Sequence, residues 1–304
     1  MQLYELINGL GRDLKSRYGE KVHKLTINAS FTCPNRDGTS GLGGCTFCNN
    51  ASFNGNTRSE LSIREQLENS KPGMRAKRYL AYFQTYTNTY AEVEELRRLY
   101  EEALTTTDIV GICVGTRPDC VPDATLDLLA HYQQQGYEVW LELGLQSSFD
   151  KTLDLINRGH HFNAYVDAVK RAHQRGLKIC THLIIGLPGE APSDSLITLE
   201  RVIDAGCEGL KLHPLHIVKG SQMARQWKNN EIQAISQQEY VDVAARMIQN
   251  TPWNVVYHRV SATARKPTLL APDWCNDRWP VLNQIAEQLI QKGGQGSALE
   301  AMSI

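Results

Sequence analysis

Six short apolar runs alternate with helix-like stretches between Lys24 and His216: Lys24–Ala29, Tyr79–Gln84, Ile109–Val114, Val139–Leu145, Ile179–Ile185 and Gly209–Leu215. Runs of this length bounded by turn residues predict strands. Between them, apolar positions recur at helical spacing. Val93, Leu96, Leu99, Tyr100 and Ala103 form one such stripe, and Leu196, Leu199, Val202 and Ile203 form another. Gly136, Gly176 and Gly206 each fall just ahead of a strand, where a left-handed residue closes a helix. Alternation of this kind covers a parallel sheet with helices. The expected fold class is α/β, and because six units are too few for the eight-stranded barrel, an open barrel or strongly curved sheet is predicted.

After His216 the pattern changes. Ser236–Asn250 reads as a helix, Val255–His258 as a short strand and Arg278–Lys292 as a final helix, while the small, polar tail Gly293–Ile304 is expected to fray. At the other end, Leu3, Leu6, Ile7, Leu10 and Leu14 lie at helical spacing among polar residues, which predicts a surface helix and not a signal peptide. The chain thus divides into an N-terminal helix over 1–24, a β/α core over 25–220 and a mostly helical C-terminal extension over 221–304.

Composition narrows the class. Of 304 residues, 41% are hydrophobic and 21% charged, which excludes a disordered or membrane-embedded chain. The net charge of -1 gives no support to a strongly basic nucleic-acid binder, although local basic patches stay open. No stretch nears the roughly 18 apolar residues of a membrane span, so a cytoplasmic protein without a membrane partner is expected. Five of the eight cysteines, Cys113, Cys120, Cys180, Cys207 and Cys275, are scattered and read as small buried hydrophobes. Cys33, Cys45 and Cys48 cluster instead.

These three lie in a loop rich in Gly, Asn and Asp, running from Asn28 to Asn50 after the first strand. Active sites of β/α barrels form at this end. A C-x11-C-x2-C set offers three thiolates and no fourth neighbour, so a four-iron cluster held there keeps one iron open, as a catalytic zinc keeps one coordination position. The alternative is a structural zinc knuckle completed by a distant Cys or His, in a binding module without radical chemistry. On these residues alone both readings stand. Lys211, His213 and His216 alternate near the last strand and either enter the barrel as substrate ligands or form one face of an end strand. Glu142 and Asp119 read as loop or capping carboxylates, with polar contacts at the rim as the alternative, and His160 and His161 as helix-end residues. Arg75, Lys77, Arg78, Arg259, Arg265 and Lys266 read as solvated faces, with phosphate contact as the alternative. Nucleophile-elbow, Walker and zincin motifs are absent from the sequence, as is a second three-cysteine set.

The loop ending Cys45-Thr46-Phe47-Cys48 resembles the signature of the radical S-adenosylmethionine (SAM) superfamily with a lengthened first interval. CPNRDGTSGLGGCTFC resembles the YhcC-like group, which carries this insert. The resemblance continues through YFQTYTNTY at 82–90, GTRPDC at 115–120, ELGLQS at 142–147, INRGHH at 156–161 and HLIIGLPGE at 182–190. ELGLQS with INRGH is also similar to the radical domain of the Elongator catalytic subunit. Each motif falls at or just beyond the carboxyl end of an expected strand, so all converge on one rim.

The resemblance implies a partial (β/α)6 barrel of radical SAM type and a 4Fe-4S cluster on Cys33, Cys45 and Cys48. It implies that Phe47 packs beside the adenine of SAM and that Gln84, Thr85, Thr87 and Asn88 receive its amino group. Gln146 and Arg158 would hold the methionine moiety, with the guanidinium facing its carboxylate, and His182 would border the ribose and adenine. The implied activity is reductive cleavage of SAM to a 5'-deoxyadenosyl radical, with an electron donor such as flavodoxin or ferredoxin. Relatives linked to maturation of the wobble uridine imply transfer RNA (tRNA) as a partner.

Overall fold

The structure, a computed structural model, describes residues 2–49 and 60–301. Asn50, where the cysteine loop ends in the sequence, and the last tail residues, 302–304, lie outside the described residues. The strands are β1 (Val22–Ile27), β2 (Arg78–Phe83), β3 (Ile109–Thr116), β4 (Glu138–Gln146), β5 (Lys178–Ile185), β6 (Gly209–Pro214), β7 (Ile217–Val218), β8 (Val256–Arg259) and β9 (Leu269–Ala271). Seven of them form one parallel sheet in the order β1-β2-β3-β4-β5-β6-β8, and β7 with β9 makes a small antiparallel pair. The six expected strands are present. The short strand of the extension adds a seventh beside β6.

Alternate residues of each strand serve opposite faces. One set, including Leu25, Phe83, Ile112, Val114, Leu141, Leu143, Ile179, Leu210 and Leu212, joins the main core with residues of the helices Val93–Leu104, Asp123–Gln134, Phe162–His173 and Pro192–Asp204. The other set lies on the concave face. Val22, Leu80, Tyr82, Cys113, Trp140, Cys180 and Val256 pack there against Leu10 and Leu14 of the helix Leu10–Tyr18.

That helix plugs the barrel where the strands begin, whereas the sequence predicts a surface helix. Leu14 is 1% exposed. Burying two leucines contributes on the order of 1.5–3 kcal/mol each. The expected single helix is also broken in two, Leu3–Leu6 and Leu10–Tyr18, because the intervening backbone bonds elsewhere. The Tyr257 amide donates to the Asn8 carbonyl (2.8 Å), and Gly9 bridges Tyr257 in parallel register.

The tail also departs from expectation. Gln295 is buried, its amide donating to the carbonyls of Pro252 (2.7 Å) and Val255 (2.8 Å) and its Oε1 accepting from the Asn8 amide (2.8 Å). A short helix, Ser297–Ala301, follows. Small polar residues read as fraying when their partners, here up to 287 positions away, are invisible locally.

Candidate active site

The loop after β1 is folded by its own polar residues, which is why an eleven-residue interval between Cys33 and Cys45 leaves no slack. Asn35 is fully buried: its amide donates to the Asn157 carbonyl (2.5 Å) and approaches Cys45 Sγ at 3.6 Å. Its own carbonyl accepts from the Gly44 amide (2.7 Å), closing the insert. Asn157 reciprocates with hydrogen bonds to the carbonyls of Gly44 (2.8 Å) and Leu42 (3.2 Å). The Thr46 amide then donates to the Ile156 carbonyl (2.9 Å). The cysteine loop and the 156–159 turn, far apart in sequence, are thereby one unit.

Arg158 leaves this turn and reaches the concave face. It is buried, its Nε donates to the Gly144 carbonyl at 3.1 Å, and Nη1 lies 3.4 Å from Cys45 Sγ. A Cβ at residue 144 would stand 2.9 Å from Arg158 Nη2 and 3.0 Å from Gln146 Nε2, so a larger residue there would push both side-chain ends from their places at the cavity. Gln146 has φ +80° and sits at an irregularity in the β4–β5 pairing. Tyr86 has φ +66°. Non-glycine residues in this region carry strain that concentrates at functional sites.

The loops and strand ends enclose a cavity of about 210 Å³. Cys33, Cys45, Cys48, Phe47, Gln84, Thr85, Thr87, Gln146, Arg158 and His182 all line it. Asn88 does not. It is buried behind the wall, its side chain donating to the Gly115 carbonyl (2.7 Å) and its carbonyl accepting from Tyr100 Oη (2.5 Å). A wider depression of about 560 Å³, lined by Phe149, Phe162 and Arg201, contains none of the cysteines.

Burial, reinforced by the neighbouring Cys45 and Cys33, pushes the Cys48 thiol up to about 11, against the opposing charges of Arg36 and Arg158. Among the described residues, the only trio of Cys, His, Asp or Glu ligand atoms within 4.8 Å of one another is that of Glu142, Cys180 and His258. The sulfurs of Cys33, Cys45 and Cys48 are more widely set.

Sequence reasoning missed the inner layer beneath the cavity. Glu142, expected at the rim, is fully buried on the concave face. Lys24 pairs with it, as do Lys211 (2.5 Å), His182 Nε2 (2.8 Å) and His258 Nδ1 (3.2 Å). Lys211 also donates to Tyr82 Oη (2.8 Å). Burial alone would raise the Glu142 pKa, but the charges of Lys211 and Lys24 and the histidine hydrogen bonds hold it well below the usual carboxylate range. Burial lowers Lys211 to about 8 despite Glu142.

Other candidates settle differently. Asp119 is taken by Arg117 in a two-pronged pair (2.9 and 2.7 Å), and Arg117 also donates to the Arg158 carbonyl (2.9 Å). His161 stands at the N-cap position of the helix Phe162–His173 with its ring against Asp154 (2.8 Å), while His160 is buried. Arg75, Lys77, Arg78, Arg265 and Lys266 are exposed, but Arg259 lines the cavity with Lys211, His213 and His216.

Burial lowers the pKa of His182 to about 4 and of His258 to about 3, with the two lysines opposing protonation and Glu142 favouring it. Unfolded imidazoles titrate near 6.5. Between those limits the unfolded chain binds more protons, so stability is complete above about pH 6.5 and is lost as pH falls toward 4. The slope approaches about 1.4 kcal/mol per pH unit for each histidine. Urea unfolding of the metal-free chain is expected to show a lower midpoint at pH 5 than at pH 7.5, reduced in size by His258→Gln. A midpoint flat across this interval would contradict buried, neutral imidazoles.

Residues 28–202 match the family model of the Radical SAM superfamily, and residues 207–291 match the Radical SAM C-terminal domain. The chain is 58% identical over 300 residues to Protein YhcC of Escherichia coli K12, covering 98% of this chain and 97% of that one. It is 27% identical over 173 residues to Elongator complex protein 3 of Schizosaccharomyces pombe, covering 56% of this chain and 31% of that one. Among solved structures, archaeal Methanocaldococcus infernus Elp3 superposes with a TM-score of 0.62 at 17% identity, covering 90% of this chain and 64% of that one. The last likeness concerns the fold. The family match over residues 28–202, joined to a cysteine loop and strand-end motifs around one cavity, shows that the chain belongs to the radical SAM superfamily, whose enzymes use SAM and an iron-sulfur cluster.

Proposed function

We propose that Cys33, Cys45 and Cys48 hold a 4Fe-4S cluster, that Phe47, Gln84, Thr85, Thr87, Asn88, Gln146, Arg158 and His182 serve SAM binding, and that the substrate is a wobble uridine of tRNA. The observation that carries the cluster is that Cys33, Cys45 and Cys48, three cysteines and no fourth among the described residues, line one cavity with Arg158 and Gln146 in a chain of the radical SAM family. When bound and reduced, the cluster supplies the electron that cleaves SAM to methionine and a 5'-deoxyadenosyl radical.

The protein's own part is placement and exclusion of water. Phe47 packs with Leu153, Ile156, Ile184, Leu187 and Leu215, giving one side of the cavity an apolar wall for a flat ring. Arg158, held by the Gly144 carbonyl, presents a guanidinium beside Cys45, where a carboxylate gains a charge-assisted hydrogen bond. Asn88, tied to the Gly115 carbonyl and to Tyr100, acts indirectly by anchoring the chain that follows Thr87.

Anaerobic reconstitution is expected to give about four irons per chain and a protein that converts SAM to methionine and 5'-deoxyadenosine with flavodoxin or ferredoxin as reductant. Stoichiometric zinc without cleavage would overturn the assignment. Arg158→Ala is expected to keep the iron but bind SAM at least about tenfold more weakly, because such a pair contributes roughly 1.5–3 kcal/mol; unchanged affinity by titration defeats that role. The tRNA assignment rests on the similarity to Elongator proteins. It predicts an altered wobble uridine in total tRNA from a deletion strain lacking redundant pathways, read by nucleoside mass spectrometry; an unchanged profile refutes it.

A further inference from the structure

The cavity wall formed by β6, β8 and the segment following β6 has a composition that SAM binding does not account for. Among the described residues, the cavity lining holds Arg36, Arg117, Arg158, Arg259, Lys211 and three histidines, and neither Asp nor Glu. Most of these cations are answered. Arg117 is paired with Asp119, Lys211 with Glu142, and Arg36 donates to the Cys48 carbonyl (3.3 Å). Arg158 is given above to the carboxylate of SAM.

Arg259 is different. It stands opposite Lys211 in the β6–β8 pairing, and no described carboxylate or hydrogen-bond acceptor meets it. Beside it lies His216, 5% exposed, with no side-chain partner on either ring nitrogen among the described residues and only the Ala262 backbone near enough to interact. The ring of His213 packs edge-on against His216, centroids 4.4 Å apart, and fixes its orientation. Buried polar groups without partners are costly and uncommon. Here an unanswered guanidinium and an imidazole without a side-chain partner share one wall of the same cavity.

We propose that Arg259 and His216 form an oxyanion-binding subsite that holds a carboxylate or phosphate of the substrate while SAM is bound. The subsite rests on the radical SAM reading above and deepens it by naming the charge that the substrate brings into the cavity. A guanidinium supplies a planar fork suited to either oxyanion, and the neutral imidazole adds one N–H donor. Burial and the Arg259 charge keep His216 neutral at pH 7, its pKa lowered to about 4, so Arg259 provides the charge.

The test uses cluster-loaded protein saturated with SAM, titrated calorimetrically with inorganic phosphate and separately with succinate, at ionic strength held constant with chloride. One saturable site for at least one anion is expected, weakened about tenfold or more in Arg259→Leu and partly restored in Arg259→Lys. Preference for phosphate identifies a phosphoester-bearing substrate, and preference for succinate a carboxylate-bearing one. The subsite is overturned if neither anion gives saturable heat, if Arg259→Leu and His216→Leu both leave the site intact, or if anion binding appears only without SAM. Iron content and SAM cleavage are measured on the same unsubstituted protein. If those fail, the radical SAM reading falls and takes the subsite with it; if they hold while the anion site is missing, only the subsite falls.

Discussion

Cys45→Ala protein, reconstituted anaerobically, is expected to stay nearly colourless, with iron falling from about four atoms per chain to near zero and SAM cleavage falling with it. Removing one thiolate leaves two protein ligands for a cluster that needs three. Cys45 is also the most enclosed of the set, 8% exposed, with Asn35 and Arg158 beside its sulfur. Cys33→Ala and Cys48→Ala should match it. Cys120→Ala is the informative control, because Cys120 is half-buried and lies close to Asp119, yet does not line the cavity. It should retain iron. Loss of iron from Cys120→Ala together with retention by Cys33→Ala would refute the ligand assignment, and unchanged circular dichroism in each variant separates ligand loss from unfolding.

The second large effect is on stability. Glu142→Ala strands Lys24 and Lys211 in the barrel interior without their shared counter-ion. Removing one partner from a buried ion pair typically costs about 3–5 kcal/mol, because an uncompensated charge stays behind. The variant should therefore unfold at a much lower urea concentration. Adding Lys24→Met and Lys211→Met to Glu142→Ala should recover much of that loss, since groups in one network do not contribute additively. If Glu142→Ala cost no more than an exposed substitution, the buried network would not be a stabilising unit.

Glu142 also marks where sequence reading gives out. The run Val139–Leu145 reads correctly as a strand, and a lone glutamate within it reads as a rim or capping group because its partners sit on four other strands. Lys24 belongs to β1, His182 to β5, Lys211 to β6 and His258 to β8. Only the inter-strand register brings them to one level. The signal available was one polar residue in the middle of an apolar strand, at the same parity as Trp140 and Gly144. The strands themselves were legible because burial on the outer face imposes apolar positions, and Gly136, Gly176 and Gly206 do adopt positive φ at the helix ends. Of the expected SAM-contacting residues, those facing the cavity lie on motifs at strand ends. Asn88 stands behind the wall, because motif membership does not specify which residues of a turn face inward. The plugging helix and latched tail were illegible for the same reason as Glu142, their partners being distant in sequence.

The bond between Tyr257 and Asn8 bears on how the molecule behaves among its neighbours. An open sheet ends in strands whose unpaired amides and carbonyls are templates for other chains. On the β8 side, the first residues of the chain occupy part of that edge, and Gln295 fastens them there. Asn8 and Gly9 therefore guard part of that edge against strand-to-strand association, and breaking their contacts with Tyr257 and Gln295 would leave it open to other chains.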